Sequence, residues 1–321
     1  MKKLTSILIM AVLIFVAISI LVDSESILRS VEFSLNIFKE NIFPSLFPFF
    51  VLSNILVKCG FVELIGTLFK GIMGRMFRIK GAAAFVFIMS IISGNPANAK
   101  YTKELLDNGT LNKGEATKIL CFTCFSNPLF IIGTVSLIFL NNKEAGILIL
   151  ICHYLGNIII GVMMRNYCPS EDGGKVSFRE AIDKMHNKRI SNNENLGVIL
   201  TNSLTTSINT LLLVLGVITT FLVITTIISE TISLNSVMQS TLNGFIEMTQ
   251  GLKYISMEAI PLKLKCVLAV MMLSFGGLSV HMQIMSILSD AKIKYLPFLC
   301  ARVMHSLISG MMVYLLFDFW F

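Results

Sequence analysis

Apolar stretches alternate with short polar ones along almost the whole chain. They cover about residues 4–22, 42–57, 81–93, 119–140, 145–164, 198–228, 266–275 and 296–319. Several reach the ~20 residues that a helix needs to cross a bilayer. Two do not, 81–93 and 266–275. Each of these ends in a glycine-containing break and is followed by a polar or amphipathic stretch, which is the pattern of a re-entrant hairpin. In hydrocarbon, non-helical backbone is tolerated only where protein buries it or where it lines a wet cavity. Paired interrupted segments therefore point to a transport site.

Three breaks stand out. The first is Ser93-Gly94-Asn95-Pro96-Ala97-Asn98-Ala99-Lys100 and the second is Phe125-Ser126-Asn127-Pro128-Leu129-Phe130. The third is Gly276-Gly277-Leu278-Ser279-Val280-His281-Met282-Gln283. Asn95 is expected to cap a helix from Pro96 to about Asp107 that stops at Asn108-Gly109. Asn127 is expected to cap a helix from Leu129 to Leu140, so 119–140 reads as one spanning helix unwound in its middle. Ser279 is expected to cap the helix after the third break.

Residues 60–77 carry Phe61, Leu64, Ile65, Leu68, Phe69, Ile72, Met73 and Met76 at helical spacing, with Glu63, Lys70 and Arg75 elsewhere. This helix is too charged to span and is expected to lie along the membrane surface. A similar piece, Thr241 to Ser256, precedes the third break. The chain thus divides into an N-terminal transmembrane helix (1–30), a first membrane repeat with a hairpin over 81–107 and a broken helix (31–165), a cytoplasmic linker (166–197) and a second membrane repeat with a hairpin over 266–289 (198–321). The fold class expected is an all-α polytopic membrane protein, an inverted-repeat transporter with two re-entrant helical hairpins. By this count the second half is one helix short.

Composition agrees. Of 321 residues 55% are hydrophobic and 14% charged, with mean hydropathy +0.78, where a soluble domain has nearer about a quarter charged. The formal charge of +7 reads as basic cytoplasmic loops rather than nucleic-acid binding. Lys2 and Lys3 place the N-terminus inside, and the following apolar helix is expected to be retained rather than cleaved. The 58–80 and 165–197 segments are basic and also read as cytoplasmic. Lys253, Lys263, Lys265, Lys292 and Lys294 then fall on the outer side, against the rule. The seven cysteines are scattered, and Cys121-Phe122-Thr123-Cys124 has no second pair, so they read as small buried hydrophobes. No Walker A loop, HExxH, GxSxG or carboxylate pair appears, so neither an enzyme nor a cofactor or metal is expected.

The chemistry lies at the breaks. Free N–H groups and the positive dipole end of a helix starting at Pro96 make an anion site. Ser93, Asn95, Asn98 and Lys100 would hold the solute there, with Ser126 and Asn127 from the second break. Gly277, Ser279, His281 and Gln283 would complete the site from the other half, joined by Glu247 and Arg302, ionisable groups in membrane sequence. A cap without a ligand, a ligand-free kink, a structural His and a snorkelling Lys or Arg are the plainer readings of the same residues.

These motifs, in order, carry a resemblance. Phe43-Pro44-Ser45-Leu46-Phe47-Pro48, the three breaks, His153-Tyr154-Leu155-Gly156-Asn157, and Leu296-Pro297-Phe298-Leu299 with Arg302 and His305 are similar to the YlbJ family of sporulation integral membrane proteins, in the "Gate" or nucleoside-recognition group. The first motif departs from the family's SGYPxGAK form, with Asn95 for the Tyr and Asn98 for the Gly. The resemblance implies a multi-pass protein of the cell membrane (the outer forespore membrane in sporulating cells) that moves dipicolinic acid, a small planar dianion, from mother cell toward forespore. The alternatives are a transporter of nucleosides or another small solute, and a non-transporting scaffold for spore-envelope assembly. The partners expected are a small anionic solute, a coupling ion, membrane lipid and further copies of the chain, with no nucleic acid.

Overall fold

Helices begin where short polar side chains can cap them. Asn112, Asn142, Asn195 and Asn235 each accept a hydrogen bond from a backbone N–H three residues on, at 2.9 Å in all four cases. Asn112 and Glu115 form a reciprocal capping box. The architecture is that of a computed structural model describing residues 2–170 and 177–321. Gly173-Gly174 and Lys175 of the expected linker lie outside the described residues. Among the described residues every regular element is helical.

The first half opens with α1 (Lys2–Val22), an almost wholly exposed apolar helix, and α2 (Ser24–Ile37), which continues through a wide π-type turn into α3 (Phe43–Lys58). Then come α4 (Phe61–Ile72), α5 (Ala83–Ser93), α6 (Ala97–Asp107), α7 (Lys113–Phe122), a π-type helix over Phe130–Phe139, and α8 (Lys143–Met163). The linker contains α9 (Phe178–Ser191), which packs on α4. Gly60 permits this approach, because a Cβ there would stand 2.5 Å from the Met185 carbonyl oxygen.

The second half comprises α10 (Leu196–Thr231), α11 (Ser236–Ile246), α12 (Met248–Met257), α13 (Leu262–Phe275), α14 (Gly277–Ile287) and α15 (Tyr295–Trp320). Among the described residues six helical stretches are long and apolar enough to cross a membrane: Lys3–Val22, Ser24–Lys58, Lys143–Asn166, Leu196–Thr231, Leu262–Ile287 and Tyr295–Trp320.

Helices α5 and α6 fold back on each other as expected. Phe85 and Tyr101 meet edge to face at 5.1 Å, and Lys80 Nζ closes the base on the Thr110 carbonyl at 3.0 Å. Asn95 is not the cap. Helix α6 starts at Ala97 with no side-chain cap, and the Asn95 amide turns elsewhere.

The second fold-back is displaced from its expected place. Helices α13 and α14 diverge at Gly276-Gly277: α13 packs on α15, α8 and α12, whereas α14 packs on α10, α6 and α11. The helical hairpin of this half is α11–α12, where the sequence suggested one surface helix. Its base is closed by Ser236 and Ser240, whose hydroxyls donate to Glu258 Oε1 at 2.5 and 2.8 Å. Its tip is Glu247, in extended backbone, whose carboxylate accepts from the Gln250 N–H at 2.8 Å and so starts a new helix. The arms touch at Gly244 and Gly251, where a Cβ on Gly251 would fall 2.0 Å from the Gly244 Cα.

The order of elements therefore repeats. A long helix, a hairpin, a broken helix and a final helix occur as α2–α3, α5–α6, α7 to Phe139 and α8, and again as α10, α11–α12, α13–α14 and α15. Helix α4 is the one insertion, and the second half lacks nothing else.

Candidate functional site

The interruptions of both halves converge on one cavity of about 60 Å³. The tip of α5–α6 contributes Asn95, the unwound 123–127 segment Ser126 and Asn127, the tip of α11–α12 Glu247 and Thr249, and α14 Gln283. Ser45 of α3 and Val214 and Ile218 of α10 complete the wall. Two glycines permit the convergence. A Cβ on Gly94 (φ +74°) would lie 2.8 Å from the Asn127 nitrogen, and one on Gly277 (φ +67°) 3.0 Å from the Met248 nitrogen.

The lining has free hydrogen-bonding capacity. Both Asn95 amide atoms and Ser126 Oγ are buried without a hydrogen-bond partner, the Cys124 thiol standing beside Asn95. An orphaned buried polar group costs about 1–3 kcal/mol, so a solute that paired with these atoms would recover that cost. Asn127 is occupied otherwise. Its Oδ1 accepts from Leu129 N–H at 2.7 Å, the expected cap, and its Nδ2 donates to the Ile92 carbonyl at 2.9 Å, tying the second break to the end of α5. Glu247 is 1% exposed and, among the described residues, is the one ionisable group lining the cavity. Ser279 stands behind it and donates to Glu247 Oε1 at 3.5 Å.

Other residues expected at the site lie outside the cavity lining. Ser93 Oγ pairs with Ser53 Oγ at 3.2 Å. Asn98 is wholly buried, and neither of its amide atoms has a partner. Lys100 donates to Asn54 Oδ1 and lines a separate pocket of about 210 Å³ with Glu104, Asn202 and Thr206. His281 faces away, held by Tyr295 Oη at 2.9 Å and the Phe275 carbonyl at 3.0 Å.

Arg302 sits behind the breaks, wholly buried. It bonds carbonyls and neutral side chains: Ser274 O at 3.4 Å, Asn157 Oδ1 at 3.1 Å, His305 Nδ1 at 2.9 Å and Cys121 O. His153 accepts the Ser126 N–H at 3.0 Å and pairs through Nδ1 with Ser274 Oγ, also at 3.0 Å, so one imidazole spans the two breaks. His153, Asn157 and His305 form this hub. In sequence they stand out as polar residues within apolar helices and as part of the motifs that carry the family resemblance, and neither signal shows that they meet. Among the cysteines, Cys168 and Cys300 are exposed, outside the expectation of burial: Cys168 sits in the linker and Cys300 on the outer face of α15.

A family model described as "Gate: Nucleoside recognition" matches residues 40–143, the stretch that supplies the first half of the cavity. The chain is 32% identical, over 98% of its length and 84% of the relative's, to "Sporulation integral membrane protein YlbJ" of Bacillus subtilis (strain 168). It belongs to the YlbJ family. It is a multi-pass membrane protein, and its family points to a transporter-like sporulation protein rather than an enzyme. No solved structure matches the chain.

Proposed function

We propose that the protein is a gradient-driven carrier that binds one small polar solute in the cavity between its two halves. The observation that carries this reading is the cavity itself: two hairpin tips and two helix breaks meet there, with unpaired polar atoms, inside membrane-spanning sequence. Unwound backbone is costly in lipid and is retained where it lines a site. A scaffold gains nothing from it.

In the finer reading the solute is dipicolinic acid, moved from mother cell toward forespore. Two things support it. The relative is a sporulation protein. Helix starts at Ala97, Pro128 and Gly277 also adjoin the cavity, each with roughly half a positive charge. One observation favours a second reading, an uncharged nucleoside: among the described residues no Lys or Arg lines the cavity, whereas Glu247 does. The family model's description fits that alternative.

Uptake of labelled dipicolinate into proteoliposomes containing the purified protein tests both. Saturable uptake that nucleosides do not displace supports dipicolinate, and nucleoside uptake supports the alternative. Flux of neither solute, together with tolerance of Asn95 and Asn127 substitutions and a stoichiometric partner, overturns the carrier reading in favour of a scaffold. In sporangia lacking the protein, dipicolinate made at normal levels but absent from the spore is the expected outcome.

A further inference from the structure

A wholly buried guanidinium normally has a carboxylate partner, since desolvating an unpaired cation costs several kcal/mol. Arg302 is 0% exposed and none of its partners is a carboxylate. What faces it is the C-terminal end of two half-helices. Cys121 O belongs to the last turn of α7, Ser274 O to the last turn of α13, and Cys124 O, at 3.5 Å, to the unwound chain between α7 and Asn127. A helix C-terminus carries roughly half a negative charge. Two such ends in contact with one cation balance it to about neutrality, so the missing carboxylate is supplied by backbone.

We propose that Arg302 is a positioning residue that joins α7 to α13 and makes the two helix breaks move as one body. The cavity built from those breaks then keeps its shape while the carrier cycles; that last clause rests on the transport reading, and the joining does not. The chemistry favours Arg over Lys. Nη1 donates one N–H to His305 Nδ1 and shares the other between Ser274 O and Cys124 O, and Nη2 donates to Cys121 O and Asn157 Oδ1. A planar fork reaches acceptors on both sides, whereas an ammonium has three donors on one point. The neighbours are turned to suit. Asn157 Nδ2 donates to Cys124 O at 2.9 Å, leaving Oδ1 for Arg302. His305 Nε2 bonds His153 O at 2.8 Å, which assigns its proton there and leaves Nδ1 to accept.

The test is a pulsed-EPR distance between spin labels on Lys113→Cys in α7 and Leu264→Cys in α13, both exposed positions, with Cys59, Cys168 and Cys300 replaced by Ser. The intact protein should give one narrow distance. Arg302→Met should broaden or split it in the folded, monodisperse fraction, and Arg302→Lys should give an intermediate width. An unchanged distribution in Arg302→Met overturns the proposal, because a merely structural role lowers the yield of folded protein without freeing one half-helix from the other. If Arg302→Met does not fold, Arg302→Lys decides: an unchanged width there overturns the need for a fork. Flux measured on the same samples separates the two readings. Absence of flux from the intact protein removes the carrier reading and leaves the distance result standing.

Discussion

At the scale of single residues, Glu247 decides between the two solutes. Its carboxylate caps α12 through one oxygen, a role that the amide oxygen of Gln can fill. Glu247→Gln should therefore fold normally and, where the carboxyl group is ionised, remove the negative charge from the cavity. Two like charges about 5 Å apart at an effective dielectric of about 20 repel by roughly 3 kcal/mol. If the solute is a dianion, Glu247→Gln should lower KM by at least about tenfold. If it is a nucleoside, the loss of a carboxyl acceptor should raise KM, and saturation curves in proteoliposomes distinguish the two. Gly94 is the second test. Its φ of +74° with ψ of −172° is a conformation open essentially to glycine alone, and its missing Cβ makes room for Asn127. Gly94→Ala should cost about 2 kcal/mol or more, read as a lowered thermal midpoint in detergent. Asn95, Ser126 and Asn127 were legible because Asn-Pro in membrane sequence has few uses. Asn98 and Lys100 lie off the cavity: Asn98 is buried one residue into α6, and Lys100, about a turn along it, lines the pocket with Asn54 and Glu104. Arg302 and His281 were legible as anomalies, but charge in an apolar stretch does not say whether it faces a solute or a backbone.

At the scale of elements, the α11–α12 hairpin is the feature hidden from sequence, and its glycines test it. Gly251→Ala would drive a Cβ into the Gly244 backbone at 2.0 Å and should open the arms, lowering stability by a few kcal/mol in a thermal or denaturant scan. Gly216, mid-helix in α10, has nothing within 4 Å of its would-be Cβ. Gly216→Ala should be neutral or stabilise by up to about 1 kcal/mol through helix propensity. Equal effects at the two positions would refute the close packing of the hairpin. The breaks at 94–96, 123–127 and 276–277 showed in sequence because Pro and paired Gly stop helices by covalent means. The turn at Glu247 is made by a carboxylate accepting one N–H, and the same residue on a surface helix would be ordinary. With no Pro and a polar composition, 241–256 carried helical periodicity but no sign of where the chain reversed. Misplacing that reversal moved the expected hairpin one element along, and made the second half seem a helix short.

At the scale of the whole molecule, that one displacement also accounts for two of the five lysines that stood against the positive-inside rule, Lys292 and Lys294. If 262–287 crosses the membrane as a broken helix, the loop after it emerges at the end of the bundle opposite to Lys263. Contacts agree with this. Lys103, near the base of the first hairpin, pairs with Asp290 at 2.7 Å, and Lys263 pairs with Asp318, near the end of α15, at 2.6 Å. The Lys103 end also gathers Arg78 with Asn166, Lys80 with Glu115 and Lys58 with Glu194. Lys292 and Lys294 thus join the basic residues of 58–80 and of α9, while Lys253, Lys263 and Lys265 stay at the opposite end among Glu230, Glu258 and Asp318. By the positive-inside rule the basic end is expected to face the cytoplasm. If α1 crosses once and each half three times, with α7 to Phe139 counted as a crossing, the halves would run in opposite senses, as the expected inverted repeat requires. Cysteine accessibility in intact cells checks the arrangement. With the native cysteines replaced, Lys292→Cys should resist a membrane-impermeant maleimide until the cells are permeabilised, whereas Ala259→Cys, an exposed position between α12 and α13, should react at once. A folded-back 266–289 hairpin would return residue 292 to the outer face beside residue 259. Labelling of both positions in intact cells would therefore restore that arrangement and remove the inverted repeat built on α11–α12.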